Sequence, residues 1–180
     1  MKKILILAAL AAMATPAVAS ANDFAGPRVG VVAGTSGDTA GFNQFTYGVN
    51  AGYDLAVTKN VRVGATVEYV DSEALNGTIS GRNAEVSVIG RVGYKLSENV
   101  LAYGLVGYSA LLKQNENTTV KKDRNGNRYG AGLEYAVSDN VYAGAEYRYS
   151  DYERGDQMNR SVEVQEDENH AVMLTVGYRF

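Results

Sequence analysis

Hydrophobic and polar residues alternate along most of the chain. Phe45, Tyr47, Val49, Ala51, Tyr53 and Leu55 fall on one face of an extended backbone, and Thr46, Gly48, Asn50, Gly52 and Asp54 on the other. Val61, Val63, Ala65, Val67 and Tyr69 repeat the pattern against Arg62, Gly64, Thr66 and Glu68. So do Val86, Val88, Val92, Tyr94 and Leu96 against Glu85, Ser87, Arg91, Gly93 and Lys95. The period returns over 129–137, 141–149 and 172–180. Successive side chains of a strand point to opposite faces, so this is a strand signal, and no helical stripe explains it. With a first strand over 28–34 and a fifth over 100–110, the chain is expected to form eight strands. The fifth is apolar at both phases, and the pattern leaves its orientation open.

The connections are of two kinds. Residues 57–60, 97–99 and 138–140 are short and turn-like, and each follows an even-numbered strand. Residues 35–44, 71–82, 112–128 and 151–169 are long and polar. Gly52-Tyr53-Asp54-Leu55, Gly93-Tyr94-Lys95-Leu96 and Gly177-Tyr178-Arg179-Phe180 recur at the same end of strands two, four and eight. The repeating unit is a hairpin, and the predicted fold is all-β, an eight-stranded antiparallel up-and-down barrel.

Alternation does not say which face is inside. A soluble barrel would bury the apolar face. Three features favour the reverse, a transmembrane barrel. The polar face carries Gly30, Gly34, Gly48, Gly52, Gly64, Gly93, Gly130, Gly132, Gly144 and Gly177. Glycine weakens a solvated strand, but it makes room in an eight-stranded lumen only wide enough for side chains. Tyrosines sit at two levels: Tyr53, Tyr94, Tyr135 and Tyr178 near the short turns, and Tyr47, Tyr69, Tyr129, Tyr147 and Tyr149 toward the long loops. Such rings suit the two bilayer interfaces, and the rise from Phe45 to Tyr53, ~20 Å after tilting, is close to the height of an apolar band. The sequence ends on an outward Phe180.

Residues 1–19 read as an export leader. Lys2 and Lys3 precede an apolar stretch, and Ala17-Val18-Ala19 is a small-residue cleavage site. The expected division is a signal peptide over 1–19 and a barrel domain over 20–180. The stretch is too short to span a bilayer as a helix.

Composition narrows the chemistry. There is no cysteine, which removes disulfides and thiol catalysis, and there is one histidine, His170. A net charge of −3 is no profile for binding nucleic acid. No cofactor and no metal site is expected.

The leader, the eight strands and the ending Val176-Gly177-Tyr178-Arg179-Phe180 resemble the small outer-membrane β-barrels of the opacity-protein and OmpA-like superfamily. The specific element is a terminal aromatic with apolar residues at alternate positions before it: Val172, Leu174, Val176, Tyr178 and Phe180. The resemblance implies location in the outer membrane, both termini on the periplasmic side and outer-membrane lipid and lipopolysaccharide as surroundings. It also implies periplasmic chaperones, and a barrel assembly machinery that reads the last strand. It names an architecture and not an activity.

Candidate sites are few. The inward face is expected to carry Arg28, Arg62, Arg91, Lys95, Arg148 and Arg179 against Asp54, Glu68, Glu85, Glu134 and Glu146. The charge network at its heart is assigned to Arg62, Glu68, Arg91, Glu134, Glu146 and Arg148. Charges enclosed in so narrow a bore must pair or be hydrated, so the lumen is expected to be plugged. His170 has Val172 at i+2 and no serine in an ordered set with it, so no enzyme is expected. Arg154-Gly155-Asp156, three glycosylation sequons at Asn76, Asn117 and Asn159, and a calcium-like run over 123–127 are weak signals. Asn125-Gly126 is read as a hairpin turn capping the third loop, whose Lys113, Lys121, Lys122, Arg124 and Arg128 suit lipopolysaccharide phosphates. The expected role is that of a structural or surface protein of the outer membrane, with a small-solute pore or a loop-borne adhesin as alternatives.

Overall fold

A computed structural model describes residues 23–38, 41–74, 83–111, 124–154 and 167–180. It contains eight strands: β1 (Gly26–Asp38), β2 (Gly41–Ala56), β3 (Val61–Ala74), β4 (Asn83–Lys95), β5 (Val100–Leu111), β6 (Arg124–Ala136), β7 (Val141–Arg154) and β8 (Asp167–Arg179). Each pairs antiparallel with the next, and β8 returns to β1, so the sheet closes into a barrel in simple chain order. Closure leaves no edge with unpaired backbone groups, which a sheet in hydrocarbon requires.

The tight connections close where expected. Val57 N–H donates to Val61 O at 3.0 Å, Leu96 N–H to Val100 O at 2.8 Å, and Val137 N–H to Val141 O at 2.8 Å. Both ends of the described barrel lie at this turn end: Phe180 N–H donates to Pro27 O at 3.0 Å, beside the start of β1.

The apolar face points out. Val31, Val49, Val88, Val106, Leu174 and Val176 are exposed, while Arg28, Asp54, Glu68, Arg91, Glu134, Arg148 and Arg179 are buried. A surface this apolar cannot face water; it matches a lipid-facing band. Exposed Tyr94, Tyr135, Tyr178 and Phe180 border the band at the turn end, and Phe45, Tyr69, Tyr108, Tyr129 and Tyr147 at the far end.

β5 resolves its phase. Leu101, Tyr103, Leu105 and Ser109 are buried inside, and Val106 and Tyr108 are exposed outside. Its inward apolar residues form one cluster with Phe24, Ile89 and Ala136. The lumen therefore has a partly apolar floor, and that floor hides the alternation of β5.

At the far end the strands outrun their expected limits. The β1–β2 ladder continues to Asp38 opposite Gly41, through an irregularity between Ser36 and Gly37, across residues assigned to a loop. Asn125 and Gly126 are not a turn: they lie in β6, opposite Ala110 and Ser109 of β5 and Glu153 and Tyr152 of β7. Arg128, likewise assigned to the third loop, is a buried strand residue. Beyond an apolar band the outward face has no need of apolar residues, so alternation fades while the backbone ladder persists. Lys113, Lys121, Lys122, the three sequons, Gly155, Asp156 and the proposed leader lie outside the described residues.

Candidate functional site

The lumen holds the chemistry. Short inward residues let long ones cross it. A Cβ on Gly64 would lie 1.9 Å from Asp54 Oδ1, and one on Gly177 would lie 2.3 Å from the Tyr142 ring. Neither neighbour could keep its place beside a larger residue.

Near the turn end, Asp54 is a hub. Its carboxylate accepts from Arg28 Nε at 2.9 Å, from Arg91 Nε at 2.8 Å and Nη2 at 2.5 Å, and from Arg179 Nη2 at 3.1 Å. Arg91 Nη1 donates on to Glu134 Oε2 at 2.9 Å, and Arg179 Nη2 stands 2.8 Å from Glu134 Oε1. Asp54 belongs to β2 and Glu134 to β6, four strands apart in a closed barrel of eight, so Arg91 ties opposite walls together.

A second cluster lies toward the far end. Arg148 of β7 holds Glu68 of β3, again on the opposite wall, in a two-pronged contact of 2.5 and 2.9 Å. It also bonds Glu146 two residues back. Arg128 bonds Glu85, reaches Glu68 at 3.5 Å and donates to Ser87 Oγ at 3.0 Å and Ser150 Oγ at 3.1 Å. Glu85 further accepts from Tyr152 at 2.9 Å. Tyr103 joins the two clusters: its hydroxyl donates to Glu146 Oε2 at 2.9 Å, and Arg91 lies over its ring, 4.9 Å from the centroid. Between them a cavity of about 20 Å³ is lined by Asn50, Glu68, Arg91, Glu134 and Arg148, among others, which is room for about one water.

Of the six residues assigned to the network, the structure brings Glu68, Arg91, Glu134, Glu146 and Arg148 into these clusters. Arg62 is apart. It is buried at the turn-end mouth, where Nη2 meets Asp23 Oδ1 at 2.7 Å and Nη1 donates to Thr58 O at 2.7 Å. Asp54, Arg28 and Arg179 were placed on the inward face, yet their meeting depends on strand stagger, which sequence does not carry. Arg128 was missed because its stretch reads as loop. Arg128 on the far-end carboxylates is also no lipopolysaccharide contact.

His170 lies within β8, among aromatic side chains. Its Nδ1 is 2.6 Å from the Tyr147 hydroxyl, and its ring centroid is 5.3 Å from that of Tyr149. Tyr149 in turn donates to Glu168 at 3.1 Å, so the histidine belongs to an interfacial aromatic patch.

The family model of the outer-membrane protein β-barrel domain matches residues 5–180. A 31 kDa outer-membrane immunogenic protein of Brucella melitensis is 27% identical over 172 residues, covering 83% of this chain and 71% of its own. Neisserial surface protein A superposes with a TM-score of 0.58 at 16% identity, over 86% of this chain and 96% of the other. The outer-membrane enzyme PagL gives 0.55 at 16% identity, over 85% and 99%. At such identities the two solved structures show the fold and nothing of activity. Inverted faces, aromatic borders, a closed antiparallel ring and the family match agree: the chain belongs to the outer-membrane protein β-barrel domain family and is a protein of the outer membrane.

Proposed function

We propose that the protein is a non-enzymatic structural and surface barrel whose lumen is plugged by side chains, with its long connections outside the cell and its turn end in the periplasm. One observation carries the reading: Arg91 and Arg148 each span the bore between strands on opposite walls, Asp54 to Glu134 and Glu68 to Arg148. A buried charge left without its partner is costly, so these bridges hold. An open aqueous path would require several of them to part at once. The test is swelling of liposomes containing the folded protein in a small sugar. No swelling above protein-free liposomes is expected. Swelling at the rate of a general porin would overturn the plug and favour a small-solute pore.

The same reading gives β8 its second role. Val172, Leu174, Val176 and Tyr178 line its outward face, and Phe180 follows with its ring 4.9 Å from that of Tyr178. This row is the surface that assembly machinery would meet before β8 closes on β1. Phe180→Ser is expected to lower the folded, heat-modifiable fraction in the outer membrane, and an unchanged fraction would count against the role.

A further inference from the structure

Two residues ahead of β1 do not belong to the barrel wall, yet one of them is buried completely. Phe24 has no exposed surface and joins the apolar cluster of Ile89, Leu101, Tyr103, Leu105 and Ala136 inside the lumen. Lys95 Nζ lies 5.8 Å from its ring centroid and the Arg179 guanidinium 5.7 Å, both within cation–π range. Asp23, beside it, stays exposed and is held at the rim. Its backbone carbonyl accepts from Arg62 Nε at 2.6 Å, its carboxylate from Arg62 Nη2 at 2.7 Å, and Lys95 Nζ lies 4.0 Å away.

The backbone shows that this placement is imposed. Phe24 has φ 53°, a left-handed conformation that is strained for a bulky residue and is kept only where its surroundings over-determine it. Gly26 follows at φ 99°, which suits glycine, and the chain turns there from the lumen into β1. Asp23 and Phe24 meet side chains of β3, β4 and β8, and the apolar cluster that holds Phe24 extends to β5 and β6.

We propose that Asp23 and Phe24 are a stopper for the turn-end mouth: Phe24 seals the bore from below, and Asp23 latches it to the rim through Arg62. The closure adds to the ion-pair clusters: it uses residues outside the strands and the apolar floor of the lumen, and it meets the turn-end cluster at Arg179. A further consequence is that Leu101, Leu105 and Ile89 have an apolar partner there instead of water.

The native chain has no cysteine, so a single Ala136→Cys thiol, at a buried position in the same apolar cluster as Phe24, reports access to the mouth. The measurement is its rate of modification by a small charged methanethiosulfonate reagent in the folded, heat-modifiable protein in vesicles. Slow labelling is expected with Phe24 in place and with Phe24→Leu, and labelling about tenfold faster or more with Phe24→Ala, because the covering group is gone. Equal rates with Phe24 and with Phe24→Ala would overturn the stopper. Should Phe24→Ala not reach the folded form, Asp23→Asn, which keeps the ring and weakens only the latch, is expected to speed labelling by a smaller factor, and no change there would overturn it as well. Thiol access at the mouth and sugar passage through the bore are different readouts, so the stopper and the plug fail separately.

Discussion

The two charged clusters of the lumen are near mirror images in charge and unlike in surroundings. The turn-end cluster sets three guanidiniums, Arg28, Arg91 and Arg179, against two carboxylates, Asp54 and Glu134. The far-end cluster sets two guanidiniums, Arg128 and Arg148, against three carboxylates, Glu68, Glu85 and Glu146. Below, the neighbours are mostly rings and aliphatic chains: Arg179 lies 5.1 Å from the Tyr142 ring centroid and faces Phe24, and one hydroxyl, that of Thr66, accepts from Arg28 Nη2 at 2.5 Å. Above, they are hydroxyls: Ser87, Ser150 and Tyr152 bond Arg128 or Glu85, and Ser87 also meets Ser109 at 2.9 Å. A charge that loses its partner below has few polar alternatives; one above has several. The lower cluster is thus the mechanically decisive one, and the upper one is tolerant.

That difference can be broken most directly at the hub. Asp54→Asn removes the one carboxylate shared by three arginines, and the expected loss of stability is about 3–5 kcal/mol, the cost typical of stranding a buried charge. Urea unfolding of protein folded in vesicles measures it. A loss below that of an ordinary buried hydrogen bond would show the arginines re-pairing with Glu134 alone.

A smaller effect is expected above. Glu85→Gln keeps a hydrogen-bond acceptor for Tyr152, Ser87 and Arg128, and Arg128 keeps Glu68 at 3.5 Å. The same unfolding assay should give about 1–2 kcal/mol. The two substitutions combined should add to within about 0.5 kcal/mol if the clusters act independently, and a larger coupling would assign Tyr103 an energetic role between them. Equal losses for Asp54→Asn and Glu85→Gln would erase the contrast altogether.

How much of this was legible in the sequence follows from how alternation arises. Where lipid lies on one side and a polar lumen on the other, as for Val49 beside Asn50 or Val88 beside Ser87, the period of two gives both the strand and its faces. Where the lumen turns apolar, as at Leu101 and Leu105, both faces look alike and the phase is lost. Beyond the lipid band the outward residues turn polar, so Asn125, Gly126 and Arg128 read as loop although they are paired on both sides. The inward position of Asp54 was visible from its alternation with Asn50 and Gly52. Its three arginine partners come from β1, β4 and β8, and only the register brings them together. Phe24 carries no periodic signal at all, because it lies outside every strand.

The central claim is that side chains bridging opposite walls close the bore. Single-channel recording in planar bilayers tests it most directly, on the unmodified protein and on Arg91→Ala. The unmodified protein is expected to give little steady conductance. Arg91→Ala, which removes one of the two arginines that join Asp54 to Glu134 and leaves Arg179 to hold both, is expected to give small, flickering openings or a destabilised barrel. Large, stable conductance from the unmodified protein would contradict the account.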